Sequence, residues 1–294
     1  MKKEINEFVF IDHGEKMIKK AVIPAAGFGT RLLPATKEQP KEMLPVFSRG
    51  ANGKINLKPI VQVIYENIFN SGVRNFCFIV GRTKRAIEDH FTPDSFYLEQ
   101  LKNKNKELFK ELKHFYEMLD KSKILWINQS RPKGFGDAVF MAKDFIGSED
   151  FLVHAGDAMV LSKKTILEEL YNLHKKYNSD ATIMAERVED PKKYGVILGE
   201  EIENKIHKVL EISEKPVQPK SNLIVIAVYI FKPIIFDVLK QVKPDKNNEK
   251  QLTDAIQILI DQGSKVHALE LDKGEKHLDI GNVERYRKAL KEIV

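Results

Sequence analysis

Short runs of β-branched and aromatic residues recur along the chain at AVIPAA (21–26), FCFIVG (76–81), ILWINQ (124–129), FLVHAG (151–156), ATIMAERV (181–188) and LIVIAVYIF (223–231). Between the early runs lie helical periodicities: IVQVIYENIF from Ile60, RAIEDHF from Arg85 and DAVFMAKDF from Asp137. Glycines or polar turns separate each helix from its strand. Strands that alternate with helices, several apolar enough to be buried on both faces, predict an α/β fold. Its central sheet is mixed but mostly parallel, with helices on both faces. Ligands of such a sheet belong at the carboxyl ends of its strands.

Other stretches depart from that alternation. Leu101, Leu108, Leu112, Phe115 and Leu119 form a 3-4 stripe among Lys and Glu, which predicts one amphipathic surface helix over 97–121. GVILGEEIENKIHKVLEISEK (195–215) alternates on either side of a Glu-Asn turn and predicts a hairpin, so antiparallel strands enter the sheet. The tail reads as a helix at 252–261, a strand at 266–271 and a last helix from about Asn282. Residues 1–17 are expected to form an extension that frays or adds a small edge segment. Residues 18–294 read as a single domain, without a repeat or low-complexity linker.

Composition excludes several classes. The 294 residues hold 48 Lys+Arg against 42 Asp+Glu, a net charge of +6, with both signs spread along the chain. That describes a solvated surface, so nucleic acid is not an expected partner. Cys77 is the only cysteine, which rules out an internal disulfide framework and a zinc site built on cysteine pairs. A reducing, cytoplasmic setting is expected. No run reaches the roughly 18 apolar residues of a spanning helix, and Asp12 interrupts the N-terminal FVFI, so neither signal peptide nor membrane anchor is expected.

The first strand runs into Gly27-Phe28-Gly29-Thr30-Arg31, where glycines let the backbone turn tightly and aim successive N–H groups at an anion. A plain strand-to-loop turn has the same form. Two familiar phosphate motifs fail on residue identity, because both need glycine where Leu32 stands, and a Walker A loop also needs lysine at Leu33. Arg31, Lys37 and Lys41 follow on a proline-rich stretch that discourages a regular helix. Cations beside a glycine cradle suit a triphosphate.

The run AAGFGTRLLPATKEQPKEMLP (25–45) closely resembles the signature of sugar-phosphate nucleotidylyltransferases, and its PATK and PKEMLP pieces resemble the bacterial-type UTP–glucose-1-phosphate uridylyltransferases. The resemblance extends over roughly 19–294. It implies the Rossmann-like nucleotide-diphospho-sugar transferase fold, with a nucleotide-binding half at about 18–160 and a sugar-binding half at about 161–294. It also implies that Ala25, Ala26, Gly27, Gly29, Thr30 and Arg31 hold the nucleotide, and that Gln129 and Gly134 of QSRPKGFGDAV meet the uracil ring. An amide does match the edge of uracil, and a glycine allows close backbone approach. Asp157, after FLVHAG, and Asp279, in HLDIGN, are similar to the pair that binds Mg²⁺; two carboxylates suit a hard cation that keeps waters and takes phosphate oxygens. Glu214-Lys215-Pro216 resembles the E-K-P whose glutamate holds sugar hydroxyls and whose lysine holds the sugar phosphate. Tyr194-Gly195-Val196 resembles the adjoining sugar turn.

The implied reaction is UDP-glucose formation from UTP and glucose 1-phosphate, with Arg31, Lys41 and Lys215 as its cations, Mg²⁺ as cofactor and a homo-oligomer, dimer or tetramer, as the assembly. Some positions depart from the family's pattern: Asp137 where histidine is frequent, His154 and Ala155 for large aliphatics, Ala158 for an acid or valine, and a long polar stretch at 48–59. Alternatives are a thymidylyltransferase or dual UTP/dTTP enzyme, a non-catalytic nucleotide-sugar-binding subunit, and a nicotinamide dehydrogenase, which Leu32 disfavours. Cys77, His154 and Trp126 read as core residues.

Overall fold

The computed structural model describes residues 18–50, 53–162 and 166–292, so the extension expected over 1–17 lies outside the described residues. The chain runs through β1 (Lys20–Ala25), β2 (Pro45–Arg49), β3 (Ile55–Pro59), α1 (Ile60–Asn70), β4 (Asn75–Val80), α2 (Arg85–His90), α3 (Ser95–Lys104), α4 (Lys106–Asp120) and β5 (Lys123–Asn128). It continues through α5 (Phe135–Met141), α6 (Lys143–Ile146), β6 (Phe151–His154), β7 (Ala158–Leu161), α7 (Ile166–Tyr177), β8 (Ala181–Arg187), β9 (Gly195–Glu203) and β10 (Ile206–Glu214). The last elements are β11 (Leu223–Phe231), α8 (Ile235–Leu239), α9 (Leu252–Asp261), β12 (Val266–Glu270), β13 (Lys276–Asp279) and α10 (Val283–Glu292).

The main sheet has the order β5-β4-β1-β6-β11-β8-β12-β10-β9. Strands β5, β4, β1, β6, β8 and β12 share one direction, and β11 is antiparallel to both its neighbours β6 and β8. The expected mixed, mostly parallel sheet is therefore present. Side chains alternate between two cores. Ile23, Phe76, Phe78, Leu152 and Met184 pack on one face, and Val22, Cys77, Ile79, Val153 and Ile183 on the other. Burial on both faces is why these strands read as unbroken apolar runs, each large side chain contributing roughly 1.5–3 kcal/mol. Cys77 is fully buried, which pushes its thiol up to about 12. Trp126 stacks on Phe78 at 4.7 Å.

The end of β11 pairs β6 through Val228–Phe231, whereas its start pairs β9 through Leu223 and Ile224. This closes a circuit of strands β11, β8, β12, β10 and β9, with a register break between Ile226 and Tyr229. The β9–β10 hairpin is thereby carried back beside the parallel strands rather than projecting from their edge.

Two local expectations are corrected. The helix expected over 97–121 is two helices, because Asn105 leaves helical geometry (φ −150°, ψ 92°) and its side chain accepts from the Glu107 and Leu108 amides, starting α4 anew. The helix expected from Asp137 begins at Phe135 and breaks at Ala142. The long polar stretch has a local shape of its own, in that Ser48 and Arg49 of β2 pair antiparallel with Asn56 and Ile55 of β3. A second small pair, β7 with β13, had no sequence signal, since AMVL and KHLD are too short and too mixed to show a period.

Candidate active site

The chain visits β1, β4 and β5 on one side of the sheet and then crosses back to place β6 on the other side of β1. The crevice between the departing connections lies at the carboxyl ends of β1 and β6. The loop after Ala25 leaves from there. Gly29 takes φ +68°, and a Cβ on it would press against Thr36 at 3.3 Å, so glycine is needed. Thr36 Oγ1 donates to Gly29 O at 2.8 Å, and Leu32 N donates to the same oxygen at 2.9 Å, closing a short 3₁₀ turn over Thr30–Leu32. Gly27, Phe28, Gly29, Thr30 and Arg31 form one wall of an open cleft of ≈ 410 Å³. Lys41, Pro132, Glu249 and Gly281 complete its lining. Ala25 ends β1 and Ala26 is buried behind the loop.

Lys41 opens a second 3₁₀ turn, Lys41–Met43, whose backbone is fixed by Pro40 and by the bond from Met43 N to Pro40 O (2.9 Å). Its ammonium donates to Asp157 Oδ2. Burial opposes the charge on both groups, yet their mutual attraction prevails: Lys41 is held above the usual lysine range and Asp157 below the usual carboxylate range. Both are therefore ionised at neutral pH. The next residue, Glu42, is 1% exposed and accepts from Lys84 Nζ at 2.7 Å. Burial pushes the Glu42 carboxyl up, while Lys84 and Lys41 pull it down. Lys37, counted among the loop cations, is not part of the cleft lining and lies 3.6 Å from Glu38 with 76% of its side chain exposed.

Asp157 and Asp279 reach the site by the small β7–β13 pair. Asp279 stands opposite Ala158, and Ile280 N donates to Asp157 O at 3.1 Å, so the two aspartates occupy adjoining strand ends. Asp279 Oδ1 accepts from Gly281 N (2.8 Å), and Oδ2 accepts from Arg285 Nη1. Arg285 lies over the Tyr194 ring, 4.7 Å from its centroid. Among the described residues there is no group of three or more His, Cys, Asp or Glu side chains suited to hold a metal ion. A pair of carboxylates without histidine or cysteine does fit a hard cation that fills its remaining positions with water and phosphate oxygens.

Gln129 extends from β5, its N–H bonded to Val80 O at 2.8 Å, and is buried. Its Nε2 donates to Asp137 Oδ2 at 2.7 Å. Because an ionised carboxylate only accepts, this contact determines which end of the amide is nitrogen. Gly134 has φ +97°, and a Cβ there would lie 2.6 Å from Lys250 O. Lys250 N donates to Lys133 O (2.7 Å) and Gly136 N donates to Lys250 O (2.9 Å), so residues 249–251 buttress the 129–136 loop.

Gly195 and Glu214 form the register pair at the open end of the β9–β10 hairpin. Thr253 Oγ1 on α9 donates to Glu214 Oε2 at 3.1 Å, and Glu214 Oε1 pairs with Lys215 Nζ at 2.8 Å. Lys215 adopts φ +44°, and its N–H donates to Tyr194 O at 2.9 Å. A non-glycine residue in the left-handed region stores backbone strain where the hairpin ends. His154 is buried, bonded through Nδ1 to Ala155 O (2.9 Å), and lowered by burial to about 4, which leaves it neutral.

The structure adds residues that sequence reading passed over: Arg285, Lys84, Thr253, Asp137 as the partner of Gln129, and the Glu249–Lys250 segment. Apart from Asp137, none stands in a motif, and each acquires its place only through how loops and helices dock.

Residues 20–294 match the family model described as Nucleotidyl transferase, and the chain belongs to that family. A relative from Methanocaldococcus jannaschii is 40% identical over 281 residues, covering 94% of this chain and 93% of its own. The UTP–glucose-1-phosphate uridylyltransferase YngB of Bacillus subtilis is 37% identical over 281 residues, covering 95% and 90%. A crystal structure of apo UDP-glucose pyrophosphorylase superposes with a TM-score of 0.84 at 35% identity, covering 94% of this chain and 98% of that one. No helix among the described residues is long and apolar enough to cross a membrane.

Proposed function

We propose that this protein joins UTP and glucose 1-phosphate to give UDP-glucose and pyrophosphate. The observation that carries the reading is a single cleft that brings the glycine loop, Lys41 and the neighbourhood of Asp279 together. The relatives named for this activity support the choice of reactants.

In the reaction a phosphate oxygen of glucose 1-phosphate attacks the α-phosphorus of UTP in line. The new P–O bond forms as the bond to the bridging oxygen of pyrophosphate breaks, and the electron pair leaves with pyrophosphate. The attacking phosphate is already ionised near neutral pH, so no general base is required. Catalysis is positioning and charge neutralisation. The backbone of Ala25, Ala26, Gly27 and Gly29, with Thr30 and Arg31, receives the triphosphate. Lys41 faces the transferring phosphoryl group, where a fixed cation offsets the charge that develops. Glu214 and the Gly195 backbone receive sugar hydroxyls, and Lys215, released from Glu214, holds the sugar phosphate. Asp157 and Asp279 would hold Mg²⁺. That ion supplies charge neutralisation between the two anionic reactants.

Gln129 and Gly134 face the base. Asp137 keeps the Gln129 amide in one orientation, and Asp137→Leu should raise the KM for UTP roughly tenfold while changing kcat little, since only a charge-assisted bond to an orienting group is lost. Initial rates over a UTP titration check this; an unchanged KM removes Asp137 from base recognition.

The reaction itself is tested by incubating the protein with Mg²⁺, a panel of nucleoside triphosphates and a panel of hexose 1-phosphates, and identifying products by mass. UDP-glucose should dominate. A preference for dTTP would shift the assignment to thymidylyl transfer, and no product from any pair would favour a binding subunit.

A further inference from the structure

Both aspartates assigned to the cation already carry a fixed cation of the protein. Lys41 occupies Asp157, and Arg285 occupies Asp279. Arg285 is the more informative, because nothing in the sequence marks it. Its amide donates to the Asn282 side chain at 2.9 Å, which fixes it in the first turn of α10. The face of its guanidinium lies on Tyr194, the residue before Gly195 in the sugar-facing turn. Gly281, which lines the cleft, lies between two such groups: a Cβ there would be 3.7 Å from Arg31 Nη2 and 3.9 Å from Arg285 Nη1. A guanidinium can stack through its face while its edge offers five donors, so one side chain reaches both Tyr194 and Asp279.

We propose that Arg285 is a positioning residue that holds Asp279 in the empty cleft and yields it to a divalent cation only when phosphate oxygens arrive to take up the displaced donors. Metal therefore enters with a nucleoside triphosphate rather than ahead of it. Through Tyr194 the exchange is tied to the sugar-facing turn, so loading one side of the cleft readies the other. This rests on the reading of Asp157 and Asp279 as the cation pair given above.

The test uses the full chain and Mn²⁺ alone as probe, with free Mn²⁺ measured by electron paramagnetic resonance. Arg285→Gln keeps a planar group against Tyr194 but removes the charge. It should bind Mn²⁺ without nucleotide at least about tenfold more tightly than the wild type, because a competing cation a few ångströms away is gone. With UTP present the gap should close, while kcat for the complete reaction falls. Arg285→Lys, which retains the charge, should bind Mn²⁺ alone as weakly as the wild type and have a lowered kcat. The gain in Arg285→Gln should vanish when Asp279→Asn is added. Equal or weaker Mn²⁺ binding by Arg285→Gln, tighter binding by Arg285→Lys, or a gain that survives Asp279→Asn would overturn the proposal. Mn²⁺ binding is read without substrates, so failure of uridylyl transfer would leave these arms intact and be seen separately in the product assay.

Discussion

Replacing Lys41 by alanine should lower turnover by on the order of 10²-fold, the loss expected when one preorganised donor to a developing charge is removed. The structure adds a second consequence. Asp157 loses its ionic partner in a part-buried setting, so its carboxylate becomes harder to keep charged, and thermal stability should fall together with kcat. The double variant Lys41→Ala/Asp157→Asn should regain the thermal stability lost to the stranded carboxylate while its rate stays low, because Asp157 is itself assigned to the cation. Pyrophosphate release under saturating substrates is the measurement, and an unchanged rate would remove Lys41 from the transferring phosphoryl group.

The largest stability effect is expected at Lys84. Lys84 and Glu42 are 2% and 1% exposed, and each is the other's ion-pair partner at 2.7 Å. Lys84→Met should cost about 3–5 kcal/mol, because an unpaired carboxylate is left in the interior. Glu42 would then take up a proton, its already raised folded-state pKa climbing further above the unfolded value. Stability held by that protonated form is complete below the unfolded pKa of a glutamate and is lost as pH rises through the folded one. The variant should therefore lie closer to the wild type at pH 5 than at pH 8, and Lys84→Met/Glu42→Gln should recover part of the loss at pH 8. Denaturant melts at the two pH values check this; a penalty independent of pH would mean that the effect is lost packing. Glu42 adjoins Lys41, so the pair also anchors the short turn that presents Lys41 to the cleft.

Much of the architecture was legible because it rests on local periodicity. The apolar runs that became β1, β4, β6, β8 and β11 are buried on both faces, and such strands cannot be read as anything polar or amphipathic. The glycine loop was legible for a different reason: φ +68° at Gly29 has few solutions other than glycine. The helix over 97–121 was misread because a 3-4 stripe continues in register across Asn105, and only the capping side chain reveals the break. The β7–β13 pair escaped because four-residue strands carry too few side chains to show a period, although it is the device that joins Asp157 to Asp279.

By itself the sequence determined the layered α/β fold, the glycine loop after the first strand and the identities of the residues in its motifs, since each depends on spacing within a few neighbours along the chain. Only the tertiary structure decided which charges meet. Lys41 lies 116 residues from Asp157, and Lys84 lies 42 residues from Glu42. Arg285 on Asp279 and Asp137 on Gln129 are nearer in sequence, yet their pairing too follows from how a helix or loop is docked. Such contacts are selected by burial and by the need of each buried charge for a partner, and neither is visible before the chain has folded.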